Sequence, residues 1–321
     1  AWIAETGRLP AKISILLEGE EESGSPSLVP FLEAHRAELS RDLALICDTG
    51  MFDAATPAIT ATLRGLMGEE IVIHAADRDL HSGLYGGAAA NPIRVLARIL
   101  SDLHDDAGRV TLEGFHDGVG EPEPAMKAQW ERLGFDAAAF LGEVGLSRPA
   151  GEADRSALEQ VWSRPTCEFN GIAGGYAGEG FKTVIPARAS AKVSCRLVGK
   201  QDPERIRAAL RAHVEARLPP DCRAEFHRHG SAPATVMDVT APAFEAARRA
   251  LSEEWGREAA FVGSGGSIPI AGRFREMLGM ESLMVGFGLE DDAMHSPNEK
   301  YDLRSFRQGA RSWARILAAL A

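Results

Sequence analysis

Residues 12–26 read KISILLEGEEESGSP, an apolar run that passes directly into a cluster of carboxylates. The apolar part, 13–17, predicts a buried strand, and Ser25-Pro26 predicts a helix start with proline at the first helical position. In an open α/β sheet, the crevice between a strand end and a helix start is where ligands bind. Adjacent carboxylates repel one another unless protons or cations neutralise them. The stretch therefore favours an α/β domain with a metal site, and the alternative is an acidic surface turn.

The composition is that of a folded, acidic globular protein. The chain has 321 residues, of which 45% are hydrophobic and 25% charged, and this length suits about two domains. Its net charge of −11 argues against a nucleic-acid partner, because phosphate binding needs clustered cations. No apolar run reaches the roughly 18 residues that span a bilayer, so we expect no membrane partner. Four widely spaced cysteines predict reduced thiols and a cytoplasmic location.

Apolar periodicity divides the chain into two interleaved units. A strand–helix–strand pattern runs to residue 63 and returns after 231, whereas the stretch between them looks like a small α+β sandwich. We predict a metal-binding catalytic domain at 1–65 and 231–321, and an inserted domain at 66–230. Because residues 1–7 look like a helix end, we expect the N-terminal part of the catalytic domain to be missing. The predicted strands are 13–17, 43–47, 58–63, 70–76, 189–198, 223–227 and 282–285, and the predicted helices are 28–39, 92–103, 203–218, 243–255 and 305–320.

Two further polar residues follow predicted strand ends. Asp48 ends the apolar strand 43–47, and His295 follows the strand 282–285 and a glycine-rich turn. If the first two strands are parallel neighbours, Glu21, Glu22 and Asp48 lie at one rim, where three carboxylates favour a divalent cation. Carboxylates combined with a neutral imidazole are the usual ligands of hydrolytic zinc sites. Taken singly, Asp48 can instead cap a strand, and a loop histidine is usually solvated or capping.

Six motifs, in one order and covering nearly the whole chain, resemble those of a known family. They are the glutamate run 18–25, the strand end at Asp48, HSGLYGG at 81–87, KTVIP at 182–186, GGSIP at 265–269 and HSPNE at 295–299. The chain is similar to the dinuclear zinc dipeptidases of the carnosinase and carboxypeptidase G type. The resemblance implies an α/β fold, with a phosphorylase/hydrolase-like layered catalytic domain. It also implies an inserted α+β, ferredoxin-like lid domain through which two chains form a homodimer.

The same resemblance implies a metal centre. Glu21 aligns with the general base that takes a proton from the metal-activated water. Glu22, Asp48 and His295 align with metal ligands. The implied cofactors are two divalent metal ions, with zinc as the first choice and manganese as the alternative.

Five more residues are implied to serve the substrate. His81 aligns with a histidine that reaches the active site of the partner subunit and steadies the oxyanion, and Thr183 is expected to enter that same site. Arg196 aligns with the residue that binds the terminal carboxylate of the substrate, which suits the fork of a guanidinium. His229 and Ser267 align with further substrate contacts.

Two metal-binding motifs of the family, a His-x-Asp after an apolar strand and a bridging aspartate, do not occur before Glu18. The run His104-Asp105-Asp106 has the spacing but follows a helix of the inserted domain. We therefore expect the chain as given to be impaired. The predicted function is metal-dependent hydrolysis of an amide bond in a dipeptide or short peptide. The alternatives are an N-acyl amino acid deacylase or desuccinylase on the same fold, and a non-catalytic dimeric homologue. A nucleotide-binding protein is disfavoured because residues 175–183 miss the P-loop spacing by one residue.

Overall fold

Two main sheets organise the chain in the computed structural model, which describes residues 4, 7–9 and 11–321. The predicted helix end at 1–7 lies mostly outside these residues. The strands are β1 (Leu43–Ile46), β2 (Ala58–Leu63), β3 (Gly65–His74), β4 (Leu80–His81), β5 (Thr166–Gly174), β6 (Val184–Ile185), β7 (Arg188–Leu197), β8 (Arg223–Ala232), β9 (Thr235–Val236), β10 (Ala260–Ser264) and β11 (Glu281–Met284). The helices are α1 (Leu28–Ala34), α2 (Arg36–Leu39), α3 (Ser82–Tyr85), α4 (Pro92–Ser101), α5 (Pro124–Arg132), α6 (Ala137–Gly142), α7 (Ala157–Trp162), α8 (Pro203–Glu215), α9 (Pro242–Trp255), α10 (Pro269–Arg273) and α11 (Leu303–Ala319).

The larger sheet has the strand order β1–β11–β2–β10, with β9 paired to β2. β1 runs parallel to β11 and β10 runs parallel to β2. Strand β2, which pairs parallel with β10 and antiparallel with β11 and β9, is buried along nearly all its length, as expected for a central strand covered on both faces. Helices α9 and α11 pack on this sheet through Phe244, Leu251 and Ile316. The indole N–H of Trp255 donates to Ser312 Oγ at 3.0 Å and so ties the two helices together.

The smaller sheet is antiparallel, with the order β5–β7–β3–β8. Burial alternates along β3 and β7, so one face of the sheet is apolar and the other meets solvent. Helices α4 and α8 cover the apolar face, where Leu96, Ile99 and Leu210 are buried against Ile71. The combination of this sheet with the larger one confirms the predicted α/β fold class with an α+β insertion. The boundaries 65/66 and 230/231 stay predictions.

The predicted strand at 13–17 is wrong. Residues 12–18 form no regular element, and the side chains of Ile15 and Leu17 are 81% and 89% exposed. A strand needs a neighbour to accept its backbone hydrogen bonds, and no strand of the described residues lies beside this run. The predicted helix 28–39 is broken at His35, whose ring stacks on Phe31 at 4.3 Å. Strands β4, β6 and β9 were not predicted because each has only two residues. Strands β5 and β10 were not predicted because β5 is a polar edge strand and β10 is an edge strand interrupted by a bulge at Gly263.

Two chain crossings connect the sheets, and they run side by side. Arg64 is the single residue between β2 and β3, and the return crossing follows β8. A Cβ at Gly65 would lie 2.5 Å from the carbonyl oxygen of Ala232 and 2.6 Å from the amide nitrogen of Ala234. Only glycine permits this approach, so the junction is a closely packed pair of backbones. None of the helices in the described part of the chain is long and apolar enough to cross a membrane.

Candidate active site

The loops that follow β1 and β11 lie at the same edge of the larger sheet, because these strands are parallel neighbours. The amide N–H of Met51 donates to the carbonyl of Gly288 at 2.9 Å, which joins the two loops. A Cβ at Gly286 would lie only 1.7 Å from the carbonyl oxygen of Thr49. The close approach places the exposed side chain of Asp48 beside the start of the loop that leads to residue 295.

The loop 289–300 is organised by a buried carboxylate, Asp292, which is 2% exposed. Burial alone would raise the pKa of Asp292, but hydrogen bonds from the Leu289 amide (2.7 Å) and from the Lys300 ammonium (2.9 Å) outweigh burial and lower it. Asp292 therefore stays charged and holds both ends of the loop, while His295 lies between them.

The glutamate run forms a 3-10 turn at Glu21–Ser23, and its members have different surroundings. Glu20 accepts hydrogen bonds from the amide and hydroxyl of Ser27, at 3.0 and 3.2 Å, at the start of α1. Glu22 Oε1 lies 3.0 Å from His295 Nε2, across 273 residues of sequence. The side chain of Glu21 is exposed. The carboxylate of Glu20 is thus bound at the start of α1, whereas Glu22 connects the glutamate run with the loop of His295.

Backbone strain concentrates at these same loops. Within the described residues, the non-glycine residues with positive φ are Ser25, Ala293, His295 and Asn298, with φ between 53° and 64°. L-residues seldom adopt this region, and its use is commonest where function requires a particular side-chain placement. Ser25, Ala293 and Asn298 flank the contact between Glu22 and His295, and His295 itself takes part in it.

The donor chemistry at this edge fits a metal only in part. A carboxylate and an imidazole are ordinary zinc ligands, but zinc sites use three or four protein ligands. Across residues 11–321 and the few described before them, no group of three or more His, Cys, Asp or Glu side chains could hold a metal ion. Glu22 and His295, exposed by 76% and 78%, meet each other, and Asp48 does not join them in such a group.

His81 and Thr183 lie together on a second surface, the short sheet of β4 and β6. The amide of Ser82 donates to the carbonyl of Thr183 at 2.9 Å, and His81 and Thr183 line an open cavity of about 530 Å³ together with Phe181. His81 Nδ1 accepts a hydrogen bond from the amide of Gly83 at 3.0 Å. The neutral ring therefore carries its proton on Nε2, which makes His81 a hydrogen-bond donor toward the exterior.

Arg196 and Ser267 meet where the two sheets join. Arg196, on β7 of the smaller sheet, donates from Nη1 to Ser267 Oγ at 3.2 Å, and Ser267 follows β10 of the larger sheet. Ser267 Oγ in turn donates to the carbonyl of Arg64 at 2.5 Å. His229 lies at the bulge between β8 and β3, and its Nε2 is 4.0 Å from Glu70.

The structure thus brings the predicted site residues together in pairs. Glu22 contacts His295, His81 lies beside Thr183, and Arg196 contacts Ser267. The sequence analysis missed Arg64, although a cation set between two apolar strands and followed by glycine is a signal for a junction.

Comparison with known proteins gives a consistent picture. The family model described as the M20 peptidase dimerisation domain matches residues 61–222. The Cys-Gly metallodipeptidase DUG1 of Saccharomyces cerevisiae is 30% identical over 99% of this chain and 67% of its own length. The beta-Ala-His dipeptidase of Rattus norvegicus is 28% identical over 97% of this chain and 64% of its own.

Among solved structures, an M20 family metallo-carboxypeptidase, Sso-CP2 from Sulfolobus solfataricus, superposes with a TM-score of 0.82. It is 28% identical, and the match covers 94% of this chain and 69% of that one. The chain therefore spans about two thirds of the length of the relatives that it matches.

Proposed function

Because this chain belongs to the M20 family of metallopeptidases, we propose that the whole protein hydrolyses the amide bond of a dipeptide or short peptide. The named relatives are dipeptidases, and their names support this substrate class. The observation that carries the proposal is the 3.0 Å contact between Glu22 and His295 at the edge where two parallel strands end. It joins a carboxylate and an imidazole, the ligand types of hydrolytic metal centres.

Relatives that are metallodipeptidases imply a divalent metal, and we propose two ions, zinc first and manganese as the alternative. Glu22, Asp48 and His295 would supply ligands from this chain. A bound divalent cation would polarise the scissile carbonyl and lower the pKa of water. The described residues contribute too few donors for a complete site, so we assign no geometry to the ions.

Side chains of this chain carry out the proton transfers and stabilise the oxyanion. Glu21, exposed beside Glu22, takes a proton from the attacking water and delivers it to the leaving amine. His81 offers its Nε2–H to the oxyanion of the tetrahedral intermediate. In our proposal it does so in the partner subunit of a homodimer formed through the inserted unit at 66–230, and Thr183 enters the same site.

Substrate recognition is assigned to the junction of the two sheets. Arg196 and Ser267, which already contact each other, bind the carboxylate of the C-terminal residue, and His229 lies at the bulge of the neighbouring strand. A free carboxylate is also present in N-acyl amino acids, so this contact equally supports the deacylase alternative. A cytoplasmic location stays a prediction from the four cysteines, which are free in the structure.

Hydrolysis assays of the complete protein test the proposal. Chelation should abolish hydrolysis of dipeptides, and zinc or manganese should restore it. Glu21→Gln should lower kcat by about 100- to 10,000-fold, the usual contribution of a general base. Glu20→Gln is the matched control, because the Glu20 carboxylate accepts hydrogen bonds from Ser27 and does not contact His295, and it should change kcat little. Hydrolysis that resists chelation or survives Glu21→Gln contradicts the mechanism, and a preference for N-acyl amino acids selects the alternative.

A further inference from the structure

Two arginines lie close together at the junction of the sheets without a carboxylate between them. Arg64 is the single residue that connects β2 with β3, and Arg196 is paired in register with the neighbouring Leu66. Ser267 bridges them, since its hydroxyl accepts from the guanidinium of Arg196 and donates to the carbonyl of Arg64. Both arginine side chains are half-buried.

The absence of an ion pair is unusual for this acidic chain, which carries 46 Asp and Glu residues. Elsewhere a buried arginine is neutralised: Arg207 contacts the fully buried carboxylate of Glu69. Neither Arg64 nor Arg196 forms a salt bridge with any residue of the described part of the chain. Burial, and then the positive charge of Arg196, lower the pKa of Arg64 to about 10, and exposed Glu168 opposes this effect only partly. The site therefore has an excess of positive charge.

Backbone carbonyls, rather than acids, orient the Arg64 guanidinium. Its Nε donates to the carbonyl of Gly265 at 3.2 Å, and Nη1 approaches the carbonyl of Gln160 at 3.4 Å. A Cβ at Gly265 would lie 2.9 Å from Nη2, so glycine at this position makes room for the guanidinium. Nη2 makes no hydrogen bond to the residues that the structure describes, and it stays available to a ligand.

We propose that Arg64 is a second substrate-binding residue, which together with Arg196 and Ser267 binds the carboxylate of the substrate's C-terminal residue. The inference rests on the proposed function and extends it by one residue. An anion placed between two guanidiniums removes their mutual repulsion and accepts charge-assisted hydrogen bonds from both. A neutral C-terminal amide leaves that repulsion in place. The site therefore selects substrates that end in a free carboxylate.

The test compares a dipeptide with the same dipeptide amidated at its C-terminus, as ligands of the complete protein. Arg64→Met should lower kcat/KM for the free acid by about 10- to 100-fold, mostly through KM, as expected for loss of a hydrogen bond to a charged group. The amide should lose less than about threefold. Arg64→Lys keeps the positive charge and is a smaller structural change. It should lower kcat/KM for the free acid less than Arg64→Met does, and again more than it lowers kcat/KM for the amide. Arg217→Met, which removes a half-exposed partner of Asp102, is the control and should affect both ligands equally.

Calorimetric binding of the same two ligands gives a readout that does not need turnover. Equal weakening of acid and amide in Arg64→Met indicates a structural role and overturns the inference. An unchanged ratio of acid to amide in both Arg64 variants overturns it as well. If Arg64→Met removes the selective binding of the acid but the wild-type protein hydrolyses neither ligand, the proposed function fails while the role of Arg64 stands.

Discussion

Replacement of Gly286 by alanine tests the arrangement that places Asp48 beside the loop of His295. The added Cβ would lie 1.7 Å from the carbonyl oxygen of Thr49, whereas ordinary contacts begin at 3.4 Å. The obstructing atoms belong to the backbone, so no rotamer change relieves the clash. Gly286 does not have a positive φ, and the predicted cost is therefore steric rather than conformational.

The size of the stability loss follows from the need to move the loops after β1 and β11 apart. Overpacking costs about 1 to 3 kcal/mol, and each broken backbone hydrogen bond adds about 0.5 to 1.5 kcal/mol. Moving the loops apart breaks the 2.9 Å bond from Met51 to Gly288. We expect Gly286→Ala to lower the free energy of unfolding by about 2 to 4 kcal/mol. We also expect it to lower activity, because Asp48 and His295 move apart.

Urea unfolding measured by circular dichroism gives the stability change. The matched control is Gly288→Ala in the same loop, where a Cβ would meet Thr49 at 3.7 Å and Asp292 at 3.9 Å, both ordinary contacts. A Gly286→Ala protein within about 0.5 kcal/mol of the wild type, and no less stable than Gly288→Ala, would refute the reasoning.

Two further predictions concern buried charges. Burial would raise the pKa of Glu159, but hydrogen bonds from Lys127 and Ser156 outweigh it and lower the pKa from 4.5 to about 2. A carboxylate with a lowered pKa stabilises the fold fully above pH 4.5, and this stabilisation is lost as the pH falls toward 2. Glu159→Gln should therefore lower the free energy of unfolding by about 3 kcal/mol at pH 7 and by little at pH 2, as measured by urea unfolding. Arg207→Met removes one of the arginines that contact the buried carboxylate of Glu69, and it should lower the free energy of unfolding by about 3 to 5 kcal/mol. The double variant Arg207→Met/Glu69→Gln, which also removes the charge of Glu69, should recover part of this stability. Equal stability of the single and double variants contradicts the second prediction.

The family and the fold class could be predicted from the sequence, and both are confirmed. Strands β2, β3 and β7 follow their apolar patterns, because each packs at least one face on a core. The run 13–17 has an equally apolar pattern, and yet Ile15 and Leu17 are exposed. Local periodicity reports what a segment can bury, but pairing depends on a neighbouring strand.

The candidate site shows the same limit. The family resemblance assigned Glu22 and His295 to one metal centre, but no local pattern by itself predicts a contact across 273 residues. The hydrogen-bond partners of Arg64 come from two distant segments, at Gln160 and at Gly265–Ser267, so its surroundings could not be derived from spacing. The roles of the nine predicted site residues stay predictions, and Glu21→Gln tests the first of them.

The paired crossings at Gly65 and Ala232 also bear on how such a chain is built. The segment 65–232 enters and leaves the larger sheet at neighbouring points, where the backbones lie within van der Waals contact. A host chain cut at that point needs only a few residues to close the gap, since its two cut ends already meet. The segment can therefore be cut out at one place along the chain, but a version of the larger sheet closed by a short loop would need a new cover for β10, where Trp162 of the segment packs against Ala260 and Val262.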